Sequence, residues 1–348
     1  MNDQNPAPSR LPSRPAVAGL VVAAVVALLL YVASDVLLIG FAGLLLAVFL
    51  RVGADAITRW TRLPSGWALL AFILLIIAGF VLVGVFAAPV VADQADQLTQ
   101  QVPRAFAALR TRLEGQAWSR ALLDQVQPER LFSAGKAIAG GAGTALSATF
   151  GALGNAAMIF ILGLFLAIDP PTYTRGLRAL FPPERRDQVD TVLNELDEVL
   201  RGWLLAQLGS MAVIGVLTAL GLWALGMPLV VALGLLAALL TFIPNLGPIL
   251  SAVPAVLLAL ADQPVTAAYV VALYIVVQII EGNVTTPLIQ QHTIAMPPAL
   301  TIAMQVLLGT LFGLLGLALA VPLTAVGVTL VRRLYVEAYL ERRPVRPA

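Results

Sequence analysis

The sequence predicts an all-α polytopic membrane protein with about eight hydrophobic segments, some of them re-entrant or broken, and an amphipathic helical extramembrane region. Hydrophobic residues make up 59% of the 348 residues and charged residues 11%, whereas roughly 25% of residues are charged in a soluble domain. The mean hydropathy is +0.91. Apolar runs long enough to cross a bilayer recur along the chain, and polar residues with glycine and proline interrupt two of them.

Changes in hydropathy and charge divide the chain into seven predicted segments. In order, these are a disordered cytoplasmic tail (1–15), an N-terminal transmembrane hairpin and third span (16–92), an extracytoplasmic helical region (93–136), a fourth span (137–168), a cytoplasmic amphipathic helix (169–201), a C-terminal membrane core with broken helices (202–331) and a basic cytoplasmic tail (332–348).

Arginine placement predicts the orientation of the chain in the membrane. Arg51, Arg59 and Arg62 follow the first predicted hairpin, and the segments 1–15 and 332–348 also carry arginine. Because loops rich in Lys and Arg stay on the cytoplasmic side of a membrane, we expect both termini to be cytoplasmic and the number of crossings to be even.

The polar region 93–136 carries five acidic and six basic residues. Its apolar residues recur at helical spacing, so it is expected to continue outward from the third span as an amphipathic helix. Packing of this region on itself or on neighbouring protomers is the favoured interpretation. A ligand-binding domain is the alternative.

For two C-terminal stretches, the sequence does not decide whether the chain crosses the membrane or turns back within it. The apolar run before 242 is too short to cross comfortably, so a re-entrant hairpin is favoured over two full spans for 228–261. The stretch 299–331 contains several glycines and Pro322, and it is interpreted either as one kinked span or as a tight hairpin.

The strongest functional indication is a pair of breaks at 242–248 and 278–287. Both lie within 202–331, where the only charged residues are Asp262 and Glu281. A carboxylate in hydrocarbon costs several kcal/mol or more, so it is retained where it pairs, protonates or meets water. Backbone that has left a helix at membrane depth is tolerated where it is buried in protein or lines a wet cavity. Paired interruptions of this kind therefore indicate the binding site of a transporter.

Tyr274, Gln278 and Glu281 are spaced four and three residues apart, which places them on one face of a predicted helix. Ordinary polar packing between membrane helices is the competing interpretation for Tyr274 and Gln278. For Glu281 we favour a role in transport, in which its carboxyl group exchanges a proton. The candidate transport or gating residues are Glu281, Gly282, Asn283, Thr285, Thr286, Pro287, Gln278, Tyr274, Pro244, Asn245, Gly247 and Pro248, with Asp262 as a secondary candidate.

Other interpretations of these residues stay open. The Pro244–Pro248 break is expected to form the tip of a re-entrant loop or a hinge, but a tight turn at the membrane surface explains it equally well. Asp262, beside Gln263 and Pro264, is interpreted first as part of a solvated turn.

Several function classes receive no support from the sequence. Cysteine is absent, and His292 is the only histidine and lacks a metal-ligand spacing, so no metal, cofactor or catalytic residue is predicted. The glycine-rich run 139–143 lacks the Gly-Lys-Ser/Thr ending of a phosphate-binding loop. A net charge of +2 spread over many loops does not make a nucleic-acid surface. The protein is therefore not expected to be an enzyme. Without a nucleotide-binding loop, the energy for transport would come from an ion gradient or from the gradient of the solute itself.

The chain resembles the autoinducer-2 exporter (AI-2E) family, a large group of bacterial membrane proteins formerly classed as uncharacterised permeases. The resemblance covers nearly the whole chain. It rests on the runs FIPNLGPILSAVPA (242–255), QIIEGNVTTPLI (278–289), PPAL (297–300), GLLG (313–316) and AVPL (320–323). Asn245 departs from the family pattern, which usually has an aromatic residue such as Tyr at that position.

The resemblance implies a transporter of the bacterial inner membrane that exports a small polar solute, with the quorum-sensing signal autoinducer-2 as the best-known cargo. Other members look like sodium or proton antiporters, so cation/proton exchange is the alternative. The resemblance also implies a homo-oligomer in the lipid bilayer, with a pentamer as one form. A rival from another class is a non-transporting membrane scaffold organised by 93–136.

Overall fold

The computed structural model describes residues 34–86, 88–113, 144–285 and 297–340. Over these ranges the chain is helical and contains no strand, which confirms the predicted all-α class. Several predictions fall outside the described residues. They concern the tail 1–15, the first apolar run 16–33, the part of the polar region after 113, candidate residues Thr286 and Pro287, and the end of the basic tail after 340.

The N-terminal half is built around helix α1, Ser34–Thr61. Helix α2, Ser65–Phe86, turns back along α1 after a short connection, and α4, Thr144–Ile168, packs on another side of it. Helix α3, Ala88–Leu113, follows α2. The approach of α1 and α4 is close because small residues lie at the contact, as is common between membrane helices.

Helix α4 ends in a sharp bend at Asp169. Helix α5, Pro170–Ala179, leaves at 86° to it, and prolines occupy the first positions of α5, where a missing N–H costs nothing. After a 3₁₀ turn at Pro183–Arg185, helix α6 runs from Arg186 to Ala224 without interruption. Its 39 residues span about 58 Å, so α6 extends well beyond a hydrocarbon layer about 30 Å thick.

The C-terminal half contains three shorter helices after α6. Helix α7, Val230–Leu240, and helix α8, Leu246–Asp262, form a helical hairpin, and α9, Pro264–Ile280, returns along α8. With 11 residues, α7 is about 16 Å long, which is too short to cross a bilayer. Glu281–Thr285 continues α9 as a widened π-helical turn.

The last helical stretch, α10, covers Pro298–Val331 and folds back on itself at Gly313. Gly313 has φ 62° and ψ −144°, values outside the helical region. A Cβ on Gly316 would lie 2.1 Å from the carbonyl oxygen of Leu308, although residues eight apart in a straight helix are separated by about 12 Å. Of the two forms left open by the sequence, the tight hairpin is the one found. Arg332–Leu340 extends the second arm as a π-helix.

By length and composition alone, five helical stretches among the described residues are candidates to cross a membrane, and a sixth span results if the bent pair α4–α5 counts as one. One of the five, Pro298–Glu337, is the stretch that folds back at Gly313. Large apolar side chains on these helices are exposed, as expected for surfaces that face lipid. The five candidates are Asp35–Thr61, Ser65–Leu82, Pro183–Ala224, Pro264–Asn283 and Pro298–Glu337.

Apolar clusters hold the helices together at both ends of the molecule. One cluster joins α3, the end of α6, α7, α8 and α9, with Leu233 and Val270 fully buried in it. A second joins α1, α6 and the second arm of α10 around Trp203, whose ring meets that of Phe242 edge to face. A third joins α1, α2 and the end of α4. The first cluster includes residues from both arms of the α7–α8 hairpin, and the second reaches its tip through Phe242.

Candidate functional site

The first predicted break forms the tip of the α7–α8 hairpin. Helix α7 ends after Leu240, where the Thr241 hydroxyl donates to the carbonyl of Ala237 at 2.7 Å. The chain then turns through Pro244, which has no N–H to donate, and Asn245, which has φ 66°. With ψ −47°, Asn245 lies outside the left-handed helical region, and the N–H of Leu246 donates to the carbonyl of Pro244 at 2.8 Å, which closes a tight three-residue turn around Asn245.

Gly247 makes the tight return of the hairpin possible. A Cβ at this position would lie 1.9 Å from the backbone oxygen of Leu240, at the end of the opposing arm. Only a residue without a side chain fits between the two arms. The candidate residues Pro244, Asn245 and Gly247 therefore set the shape of the tip.

Two buried amide side chains from other helices bind the backbone of the tip. The Nε2 atom of Gln207 on α6 donates to the carbonyl of Thr241 at 2.6 Å, and that of Gln305 on α10 donates to the carbonyl of Pro244 at 2.8 Å. Gln207 is 8% exposed and Gln305 1%. The bond from Gln207 satisfies the carbonyl of Thr241 in apolar surroundings, where an unpaired carbonyl costs free energy. The carbonyl of Pro244 accepts from Gln305 and also from the N–H of Leu246 at 2.8 Å.

Candidate Tyr274 connects α9 to the start of α8. Its hydroxyl donates to the carbonyl of Ser251 at 3.2 Å, and the Ser251 hydroxyl donates to the carbonyl of Pro248 at 2.9 Å. Ser251 is fully buried. Tyr274 and Pro248 thus belong to one chain of hydrogen bonds that runs from α9 to the tip.

The second predicted break begins at Glu281. The Nε2 atom of Gln278 donates to a carboxylate oxygen of Glu281 at 2.7 Å, and the side-chain amide of Asn283 donates to the carbonyl of Ile279 at 2.9 Å. Glu281 is half-buried, whereas Gln278 and Asn283 are exposed. Glu281–Thr285 forms a π-helical turn, and such π-helical insertions are frequent at functional sites.

The two breaks lie at a similar depth along the helices. Helices α8 and α9 are antiparallel arms that meet at Gln263, and Tyr274 contacts Ser251 across them. From that contact, Leu246 at the tip is about 8 Å back along α8, and Gln278 is about 6 Å forward along α9, in the same direction. The tip and the start of the second break therefore occupy one layer of the molecule.

Asp262 does not belong to this layer. It is an exposed residue at the last position of α8, about 24 Å along that helix from Leu246. Instead it lines a separate cleft that also includes Arg104 of α3.

Gln207 and Gln305 were absent from the predicted site, although a signal for them exists. Each is a lone amide within a long apolar run, 202–225 or 299–331. An amide in such a run needs a partner for the same reason that a carboxylate does, although at lower cost. The identity of that partner is a tertiary property, because Gln305 and Pro244 are 61 residues apart.

The fold and the broken helices define a polytopic membrane protein with discontinuous helices, an architecture that secondary transporters share. The family model described as AI-2E family transporter matches residues 20–335. The chain therefore belongs to the AI-2E transporter family, as its sequence motifs predicted, and this membership supports a role in membrane transport.

Three curated relatives, each described as a "Putative transport protein", are similar to parts of the chain. YrrI of Bacillus subtilis (strain 168) is 30% identical over 171 residues, which are 49% of this chain and 48% of the relative. YueF of the same organism is 28% identical over 187 residues, 53% and 51% of the two chains. YhhT of Escherichia coli (strain K12) is 34% identical over 113 residues, 32% of each. The similarity thus spans about half the length of the first two relatives and a third of YhhT.

Proposed function

We propose that the chain is a secondary transporter that exports a small polar solute across the bacterial inner membrane, with autoinducer-2-type signals as the first cargo to test. The observation that carries the proposal is the unwound tip of the α7–α8 hairpin. Its carbonyls are held by Gln207 and Gln305 between apolar helices, at the same depth as the break that begins at Gln278. A rigid, polar interruption in an apolar layer is a suitable place to bind a solute.

In the proposed mechanism, the solute passes between the hairpin tip and the end of α9. Gln278 and Glu281 supply an amide and a carboxyl group there, and Gly282 and Asn283 allow the end of α9 to move. Glu281 exchanges a proton or binds a cation when the path opens to either side, which couples export to an ion gradient. Thr285, Thr286 and Pro287 are proposed to complete this gate.

The proposed orientation places the arginine-rich end of the molecule in the cytoplasm, following the positive-inside rule. Arg59 near the end of α1, Arg178 on α5 and Arg332 after α10 belong to this end. The hairpin then enters the membrane from the outer side. A homo-oligomer such as a pentamer is proposed from the family resemblance, with the exposed apolar face of α2 as a surface for lipid or a neighbouring protomer.

The proposal is tested by flux in proteoliposomes that contain the purified full-length protein. We expect uptake of a small polar solute driven by a proton gradient, and we expect Glu281→Gln to abolish the dependence on the gradient while keeping the hydrogen bond from Gln278. The matched control is Glu184→Gln, because Glu184 is exposed and lies in the turn before α6. Gradient-driven flux that is identical in Glu281→Gln and in the unaltered protein would contradict the role of Glu281.

The same vesicles separate export of an organic solute from cation/proton antiport. Cation-dependent proton flux without any organic solute would replace the solute exporter with the antiporter, in which Glu281 again carries the exchange. Absence of every flux, combined with a partner that copurifies through the region 93–136, would replace transport with the scaffold role.

A further inference from the structure

A cleft of about 570 Å³ lies at the end of the molecule away from the arginine-rich end. Helix α6 separates the two, since Leu225 at the cleft follows Arg201 by 24 residues, or about 36 Å of helix. The cleft lies where α3 crosses the α6–α7 and α8–α9 connections. It is lined by Gln101, Arg104, Leu225, Gly226, Met227, Pro228, Leu258, Ala261, Asp262 and Thr266.

The walls of the cleft are held in place by side-chain packing and by backbone residues with positive φ. On α3, Val102 is 2% exposed within the apolar cluster that includes Leu258, and the Gln94 side chain accepts a hydrogen bond from the Ala232 N–H at 3.0 Å. The α6–α7 connection has positive φ at Gly226 (67°) and at Leu229 (59°). A leucine persists at positive φ only where its surroundings impose it, so this wall has a defined shape.

The polar groups of the cleft are available to a ligand. Among the described residues, no hydrogen bond or ion pair uses the side chain of Arg104 or Asp262. They come from different helices, α3 and α8, and each is exposed within the opening of the cleft. Gln101 and Thr266 add groups that donate and accept. Leu258 and Ala261 provide an apolar side.

We propose that this cleft binds a small solute without net charge that carries a hydrogen-bond-accepting oxygen for Arg104 and a hydrogen-bond donor for Asp262. The guanidinium and the carboxylate balance one another, so a ligand of high charge of either sign would meet a like charge. The volume falls within the range of small-molecule sites, roughly 300–1,000 Å³. A zwitterionic amino acid and a polyhydroxylated carbonyl compound both have this chemistry.

The role of the ligand as cargo rests on the proposed transport function, whereas binding itself does not. Asp262 ends α8, and the other end of α8 begins at the hairpin tip. A solute bound at the cleft would therefore contact the helix that bears the proposed gate. This position suits a site where cargo is released or recaptured on one side of the membrane.

The test is calorimetric titration of the purified full-length protein with L-serine and D-ribose as the zwitterionic and polyhydroxylated probes. Binding of at least one probe is expected, and Arg104→Ala and Asp262→Ala should each weaken it about tenfold or more, since a charge-assisted hydrogen bond is lost. Citrate and putrescine, which carry charge of one sign, should bind at least about tenfold more weakly than the preferred probe.

The matched control is Arg175→Ala, because Arg175 is an exposed arginine of α5 that is remote from the cleft. Thr266→Val supplies a milder second change in the cleft if either alanine variant fails to fold, and it should also weaken binding. Failure of both probes to bind, or equal binding by the unaltered protein and all cleft variants, would overturn the proposed site.

Flux measured on the same preparations keeps the two proposals separable. Probe binding that depends on Arg104 and Asp262, without transport of any solute, would support the cleft and count against the transporter. Transport by a protein that binds neither probe would count against the cleft and leave the transporter in place.

Discussion

Gly247, Gln207 and Gln305 illustrate how single residues allow a membrane helix to break. Gly247 lets the arms of the hairpin approach to a distance that excludes a Cβ atom. The two glutamines then satisfy carbonyls that the turn has freed, at Thr241 and Pro244. Without Gln207 the buried carbonyl of Thr241 would lose this donor, and without Gln305 the carbonyl of Pro244 would keep only the N–H of Leu246, so amides contributed by other helices stabilise the break.

Replacement of Gly247 by Ala is expected to destabilise the protein by about 1–3 kcal/mol, because the new Cβ must displace the backbone at Leu240. Thermal unfolding followed by circular dichroism measures the effect. Gly40→Ala is the control, since a Cβ on Gly40 in α1 meets no atom within 4 Å. That variant should be unchanged or slightly more stable. Equal stability of the two variants would contradict the tight return.

Gln305→Ala is expected to cost about 1–2 kcal/mol, because it removes a buried hydrogen bond and leaves the carbonyl of Pro244 with only the N–H of Leu246 as donor. Gln263→Ala removes the same side chain from an exposed turn where it makes no capping bond, and it should change stability by less than about 0.5 kcal/mol. Chemical denaturation in mild detergent compares the two. A loss of stability in Gln263→Ala as large as that in Gln305→Ala would argue against the anchoring role.

Two helical hairpins are the elements that distinguish this fold from a bundle of straight spans. The α7–α8 hairpin turns at a break rich in proline, whereas α10 turns at a glycine in a conformation that side chains disfavour. Gln305, on the first arm of α10, contacts the α7–α8 tip. The two hairpins therefore stabilise one another, and a change at Gly313 should reach the candidate site.

Gly313→Ala is expected to destabilise the fold by about 1–3 kcal/mol through backbone strain, because φ 62° with ψ −144° suits glycine almost alone. Steric overlap does not cause this destabilisation, since a Cβ on Gly313 would meet no atom within 4 Å. Gly327→Ala on the second arm is equally unhindered but has no unusual dihedral, so it tests for strain directly. Thermal unfolding that shows the same midpoint for both variants would be evidence for a straight α10.

Ion pairs tie the arginine-rich end of the whole molecule together. Arg201 on α6 donates to Asp55 on α1 and to Asp197 on its own helix, both at 2.7 Å. Glu195, also on α6, accepts from Arg332 and Arg333 at the end of α10. These contacts connect the N-terminal and C-terminal halves at a distance from the candidate site, so they stabilise the assembly of helices and do not line the proposed path.

A double-mutant cycle on Asp55→Asn and Arg201→Gln should give a coupling free energy of about 1 kcal/mol that falls with added salt, since the pair is about two-thirds buried. The comparison cycle uses Arg178 and Asp187, which lie 3.9 Å apart with Asp187 almost fully exposed, and its coupling should be near zero. Denaturation of the single and double variants measures both. If the coupling free energy of Arg178 and Asp187 were as large as that of Asp55 and Arg201, the ion pair between α1 and α6 would have no special role in joining the two halves.

The amino-acid sequence alone determined the membrane class, the helical nature of the chain, the family and the positions of the two breaks. Hydropathy and the low content of charged residues show which segments prefer lipid to water, and proline and glycine change the conformation of their own backbone. Both effects are local, so they can be recognised from the sequence without knowledge of the fold. The sequence also placed Tyr274, Gln278 and Glu281 on one helix, because helical spacing is local.

Only the tertiary structure decided what those residues contact. It turned α10 into a hairpin at Gly313, brought Gln305 to the carbonyl of Pro244, and placed Asp262 and Arg104 in the lining of a separate cleft. The physical reason is that a buried polar group must find a partner, but any of several helices could supply one. Which helix does so depends on how all of them pack, and no local pattern of residues records that choice.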